Sequence, residues 1–118
     1  MKRDMDLVRR ILLAVEESQD PTVSYLELDG WSRAEIGYHM ELLVEAGYLL
    51  GTVTHSKNGP AHYYVQRLTW DGHEFLDLAR NQTVWKEAKT SFMEKGAGLS
   101  LDVLKAVLVE FTKRLLLP

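Results

Sequence analysis

The stretch from Ser32 to Leu50, SRAEIGYHMELLVEAGYLL, constrains the fold more than any other in the chain. Ser32 and Glu35 are spaced as a capping box, in which each side chain satisfies the other's backbone amide, so a helix begins there. Ile36, Met40, Leu43 and Val44 recur on one face, and Gly47 stands where a left-handed residue ends a helix. Beyond Gly47, YLLGTVTHS and HYYVQRL flank KNGP and are rich in β-branched and aromatic residues, which predicts a β-hairpin. Pro60 cannot donate to a ladder, so a loop of about four residues is expected rather than a two-residue Asn-Gly turn.

Upstream, Val8, Ile11, Leu12 and Val15, widened by Leu7, predict a first helix from about Asp4 to Ser18, with Asp4 as its N-cap and Pro21 beyond its end. Val23, Tyr25 and Leu26 suggest a short extended segment before the Asp29-Gly30 turn. Thr69 caps a further helix with Phe75, Leu76 and Ala79 on its inner face, and RNQT is a short break. Val84, Trp85, Ala88 and Phe92 continue helically to Lys95, where GAG stops them. Ser100 opens a last helix striped by Leu101, Leu104, Leu108, Phe111 and Leu115. Helix, short strand, helix and hairpin within about 70 residues outline an α+β winged-helix domain over residues 1–80, with a helical C-terminal extension over 81–118.

At IGYHMELLVEAGYL followed by RLTWDGHEFLDLAR the chain resembles the YjcQ-like winged-helix proteins of bacteria and their prophages. The opening MKRDMDLVRRILL and the segment VWKEAK resemble them too, so the likeness spans residues 1 to about 95. It implies a winged-helix fold, DNA binding presumed from that fold, and a phage- or prophage-associated setting. A helix-turn-helix also needs a supporting helix before the reading helix. Between Ser18 and Ser32 there are only 13 residues, with Pro21, an extended segment and a turn among them, leaving room for about one helical turn.

Charge argues in the opposite direction. Residues 1–80 hold 8 Lys and Arg against 13 Asp and Glu, a balance of −5, whereas residues 81–118 hold 6 against 4. A domain gripping DNA mainly by its backbone carries the reverse balance. The outer face of the second helix adds Glu41 and Glu45, one turn apart, which repel each other and phosphate. The hairpin is the better candidate surface. Lys57 and Asn58 lie at its tip, His55, His62 and Arg67 lie on its strands, and Arg33 opens the second helix. Such residues suit phosphate contacts with double-stranded DNA.

Other chemistry is not expected. His55 and His62 face one another across the hairpin in this reading, but there is no third ligand at a useful spacing, no cysteine and no H-E-x-x-H. His39 and His73 read as core-bordering residues that satisfy backbone groups. No serine lies in a G-x-S-x-G context and no glycine-rich phosphate loop is present, so neither catalysis nor a cofactor is expected. The absence of cysteine, of a leader-like apolar core and of an apolar run near roughly 20 residues points to a soluble cytoplasmic protein without a membrane partner. Two functions stay open. One is a small regulatory protein that touches DNA through its wing as a homodimer, joined by the stripe of the last helix. The other is a protein-interaction module on the same scaffold, with a foreign protein as partner.

Overall fold

The computed structural model describes residues 1–59, 61–94 and 100–116. Pro60, the helix end expected at Lys95 and the GAG stop lie outside the described residues. The protein is α+β, with five helices and one two-stranded antiparallel sheet among the described residues. These are α1 (Met5–Glu17), α2 (Arg33–Glu45), β1 (Leu49–Thr54), β2 (His62–Leu68), α3 (Trp70–Ala79), α4 (Gln82–Glu94) and α5 (Leu101–Leu116). The chain divides into two compact units, Met1–His73 and Glu74–Pro118, with the division inside α3.

In the first unit α1 packs on α2 and β2, and α2 packs on both strands. Leu7, Ile11 and Leu12 of α1, Ile36, Met40 and Leu43 of α2, and Val65 and Leu68 of β2 are buried together as its core. Val23 forms an isolated antiparallel bridge with Val65, each amide donating to the other's carbonyl at 2.7 and 3.0 Å. No helix occurs between Ser18 and Ser32 among the described residues.

Asp4 joins three elements. Its Oδ1 caps α1 by accepting from the amides of Asp6 and Leu7 at 3.0 and 3.2 Å, and its Oδ2 accepts the Trp31 indole N–H at 2.8 Å. Its own amide donates to His39 Nε2 at 2.8 Å. A backbone amide can only donate, so Nε2 is the unprotonated nitrogen. The proton then sits on Nδ1, 2.8 Å from the Glu35 carbonyl, to which it is donated. His39 is thus buried, neutral and satisfied on both nitrogens.

The capping box of Ser32 and Glu35 is formed in both directions. At its other end α2 closes in a Schellman turn: the Gly47 amide donates to Val44 and the Tyr48 amide to Leu43, with Gly47 at φ 81°. A Cβ built on Gly47 meets no atom within 4 Å, so only backbone strain opposes a side chain there. Gly47→Ala is expected to cost about 1 kcal/mol in urea denaturation with an unchanged slope. A stability equal to the parent would mean that another residue can take the left-handed position.

The hairpin pairs Leu49 with Leu68 and Leu50 with Arg67, then shifts register so that Gly51 faces Val65 and Thr54 faces His62. Gln66 is therefore the extra residue of a β-bulge. A Cβ on Gly51 would lie 2.6 Å from the Tyr64 carbonyl oxygen, which is why glycine stands opposite the bulge. The connection runs over residues 55–61, longer than the four-residue loop expected, because the ladder ends at the pair of Thr54 with His62.

In the second unit α4 packs on α5. Asn81 caps α4 through the Val84 amide and Ser100 caps α5 through the Val103 amide. Val84, Trp85, Ala88, Phe92, Leu104 and Leu108 are its buried residues on these helices.

Candidate nucleic-acid interface

The hairpin alternates cleanly until the bulge. Tyr63, Val65 and Leu68 turn inward, and His62, Tyr64, Gln66 and Arg67 are exposed. Across from them, Thr54 pairs with His62, Thr52 with Tyr64 and Leu50 with Arg67, so the outer face presents an imidazole, a phenol, hydroxyls, an amide and a guanidinium. Lys57 and Asn58 are exposed in the connecting turn, and neither side chain has a partner among the described residues. Residues 49–68 contain no Asp or Glu at all. The rest of Met1–His73 holds 5 Lys and Arg against 11 Asp and Glu. The hairpin thus brings two formal positive charges, Lys57 and Arg67, and no carboxylate of its own to an acidic unit.

The four residues expected to meet phosphate occupy three places. Lys57 and Asn58 lie at the tip. Arg67 lies at the other end of β2, about 17 Å from His62 at strand rise, and its Nη1 donates to the Leu68 carbonyl at 3.0 Å. Arg33 is separate from the strand face, at the start of α2. Its guanidinium carbon lies 5.3 Å from the centroid of the Tyr25 ring, and it makes no ion pair among the described residues.

Arg33 and Tyr25 border a cleft of about 40 Å³ with Ser24, Leu26, Ala61, His62 and Tyr63. Tyr63 is 7% exposed, and its hydroxyl oxygen accepts the Leu26 amide at 2.7 Å. Burial pushes the Tyr63 phenol above its ordinary value; the Leu26 bond and the Arg33 charge oppose that shift, and Tyr25 adds to it. The phenol therefore keeps its proton at neutral pH. Tyr25 and Tyr63 escaped the sequence reading because the partners of Arg33 come from two segments far apart in the chain. The signal available was the run of 25 residues without a carboxylate, 46–70, which contains the hairpin.

The histidines behave differently from expectation. His55 does not face His62 across the ladder; it lies past the last pair, Thr54 with His62, and bonds Glu41 on α2. Glu41 is thereby partnered to the hairpin, not merely solvated. His73 is exposed, with its Nδ1 3.7 Å from the Glu16 carboxylate, because the first turn of α3 points it outward. Among the described residues no three His, Cys, Asp or Glu side chains form a metal-holding group, and no helix is long and apolar enough to cross a membrane.

The stripe of α5 is divided. Leu104 and Leu108 are fully buried within the chain, Leu101 and Phe111 are half-buried, and Leu115 is exposed together with Val103 and Leu116.

No solved structure matches the chain significantly. A protein of Haemophilus influenzae described as "Uncharacterized protein" is 39% identical over 109 residues, which cover 91% of this chain and 92% of that protein. A family model described as "Hypothetical protein (DUF2513)" matches residues 2–98. With most of the chain matched, including the first unit and its hairpin, the protein belongs to the DUF2513 family.

Proposed function

We propose that the protein is a small non-catalytic regulatory protein on a winged-helix scaffold, and that its hairpin contacts double-stranded DNA. The observation that carries this reading is the acid-free hairpin, with Lys57 and Asn58 at its tip and Tyr64, Gln66 and Arg67 on its outer face. The order of α1, the Val23 bridge onto β2, α2 and the hairpin supports the winged-helix assignment, with the third strand reduced to one residue. The resemblance to the YjcQ-like proteins is in line with it. Because Glu45 is exposed on α2 and no helix lies between Ser18 and Ser32 among the described residues, the contacts are assigned to phosphates rather than to base edges in the major groove. A second copy would meet the protein at α5 through Leu101, Phe111 and Leu115, the members of the stripe not buried within the chain.

Anisotropy of a labelled random duplex tests this directly. Binding is expected at low salt and should collapse by about 0.2 M, since each neutralised phosphate steepens the salt slope by about 0.9. Lys57→Ala should weaken binding a few-fold on every sequence alike and flatten that slope by about one. A flat signal at low salt would retire the DNA reading. The acidic outer face of α2 would then favour the alternative, a protein-interaction module with a foreign partner.

A further inference from the structure

The cleft between the start of α2 and the start of β2 has features that the hairpin reading does not use. Its lining contains no carboxylate, although it belongs to a unit with 7 Lys and Arg against 11 Asp and Glu. Arg33, exposed, lines it with no ion pair among the described residues, its guanidinium carbon 5.3 Å from the Tyr25 ring centroid in a cation–π contact. The Ser24 hydroxyl and the His62 ring line the same cleft. Tyr63 is buried as a residue, and its hydroxyl accepts the Leu26 amide and lines the cleft, where its proton can be donated to a bound group. A hydroxyl donor lining the cleft together with an exposed guanidinium that makes no ion pair among the described residues suits an acceptor rich in lone pairs and negative charge. Glu35 does not supply it, because it does not line the cleft and its Oε1 is held by the Ser32 amide in the capping box. The space suits about three waters, hence one tetrahedral oxyanion and not a nucleobase.

We infer that this cleft binds a single phosphate group, with Arg33 as the charge partner and the Tyr63 hydroxyl, Ser24 and His62 as hydrogen-bonding neighbours. A phosphodiester of a nucleic-acid backbone and the phosphomonoester of a small metabolite share this chemistry. Phosphate binding here does not depend on the hairpin binding DNA.

The test is a titration of the ¹⁵N-labelled full chain with inorganic phosphate, at ionic strength held constant with chloride. Saturable amide shifts are expected at Ser24, Tyr25, Arg33 and His62, and Arg33→Gln should weaken the apparent affinity at least tenfold while leaving the remaining spectrum folded. Tyr63→Phe, which removes the hydroxyl donor, should weaken it several-fold. Shifts that are linear in phosphate, spread over the surface or unchanged in Arg33→Gln would overturn the inference. Two further titrants separate the sources. If a short duplex shifts the same amides and loses at least fivefold in affinity with Arg33→Gln, the group is a backbone diester. If adenosine monophosphate saturates those amides and the duplex does not bind, the cleft serves a monoester and the DNA reading fails alone. If the duplex binds in a Lys57-dependent way while phosphate leaves the cleft untouched, the cleft inference fails alone.

Discussion

Replacing Gly72 with alanine is expected to cost about 3 kcal/mol, lowering Tm by about 10 °C or more in thermal unfolding followed by circular dichroism. A Cβ at this position would lie 2.1 Å from the Tyr48 carbonyl oxygen, 3.1 Å from its carbon and 3.3 Å from the Leu68 Cβ. The obstacle is backbone, so no rotamer change relieves it. The same carbonyl accepts the Thr69 amide at 3.1 Å, and Thr69 caps α3 by accepting the Gly72 amide at 3.0 Å while its hydroxyl donates to the Gly47 carbonyl. Pushing α3 outward therefore strains the cap and the Schellman turn together. Alanine's advantage over glycine inside a helix, about 1 kcal/mol, is too small to offset this. Parent-like stability in Gly72→Ala would show that the first turn of α3 does not cross Tyr48 so closely. At Gly47, by contrast, the space is open and only φ resists a side chain.

Asp4→Ala should lose about 3 kcal/mol, from an N-cap worth about 1–2 and an indole hydrogen bond to a carboxylate worth about 1–2. Both carboxylate oxygens are engaged, one on the amides of Asp6 and Leu7, the other on Trp31. A double-mutant cycle divides the two. Trp31→Phe removes the indole donor, and its coupling to Asp4→Ala should be about 1 kcal/mol or more. Asp4→Asn retains a capping oxygen yet turns an amide toward the indole N–H, so it should fall between the parent and Asp4→Ala. Additive effects of Asp4→Ala and Trp31→Phe would remove the 27-residue link from the stability of the first unit.

The elements that sequence made readable are those whose causes are local. Asp4, Ser32 with Glu35, Gly47, Thr69 and Ser100 mark helix ends by chemistry acting within four residues, and each does so in the structure. The apolar stripes of α1 and α2 likewise read directly as core. What escaped depends on distant pairing. The Trp31 bond to Asp4 and the His39 bond to the Asp4 amide span 27 and 35 residues. Glu41, taken from its own helix as a solvated repulsive charge, meets His55 because the hairpin returns beside α2. His73 followed the same spacing logic as His39, but only one of those helix faces is covered. For the candidate site, Lys57, Asn58 and Arg67 were legible as exposed hairpin residues. The cleft around Arg33 was not, since Tyr25 and Tyr63 converge on it from segments nearly 40 residues apart.

The bulge at Gln66 makes β2 tolerant of a change in length. Without that residue, Tyr63 to Leu68 would alternate inward and outward with no break, and Val65 and Leu68 would keep their inward orientation. Gln66 is therefore a spare position in a strand whose length is otherwise rigidly fixed. Shortening β2 by that one residue would rotate Arg67 relative to the tip while sparing the interior. Loss of Gln66 would thus bring Arg67 closer to the hairpin tip by one strand residue, about 3.3 Å, while the inward pairs of the ladder stay in place.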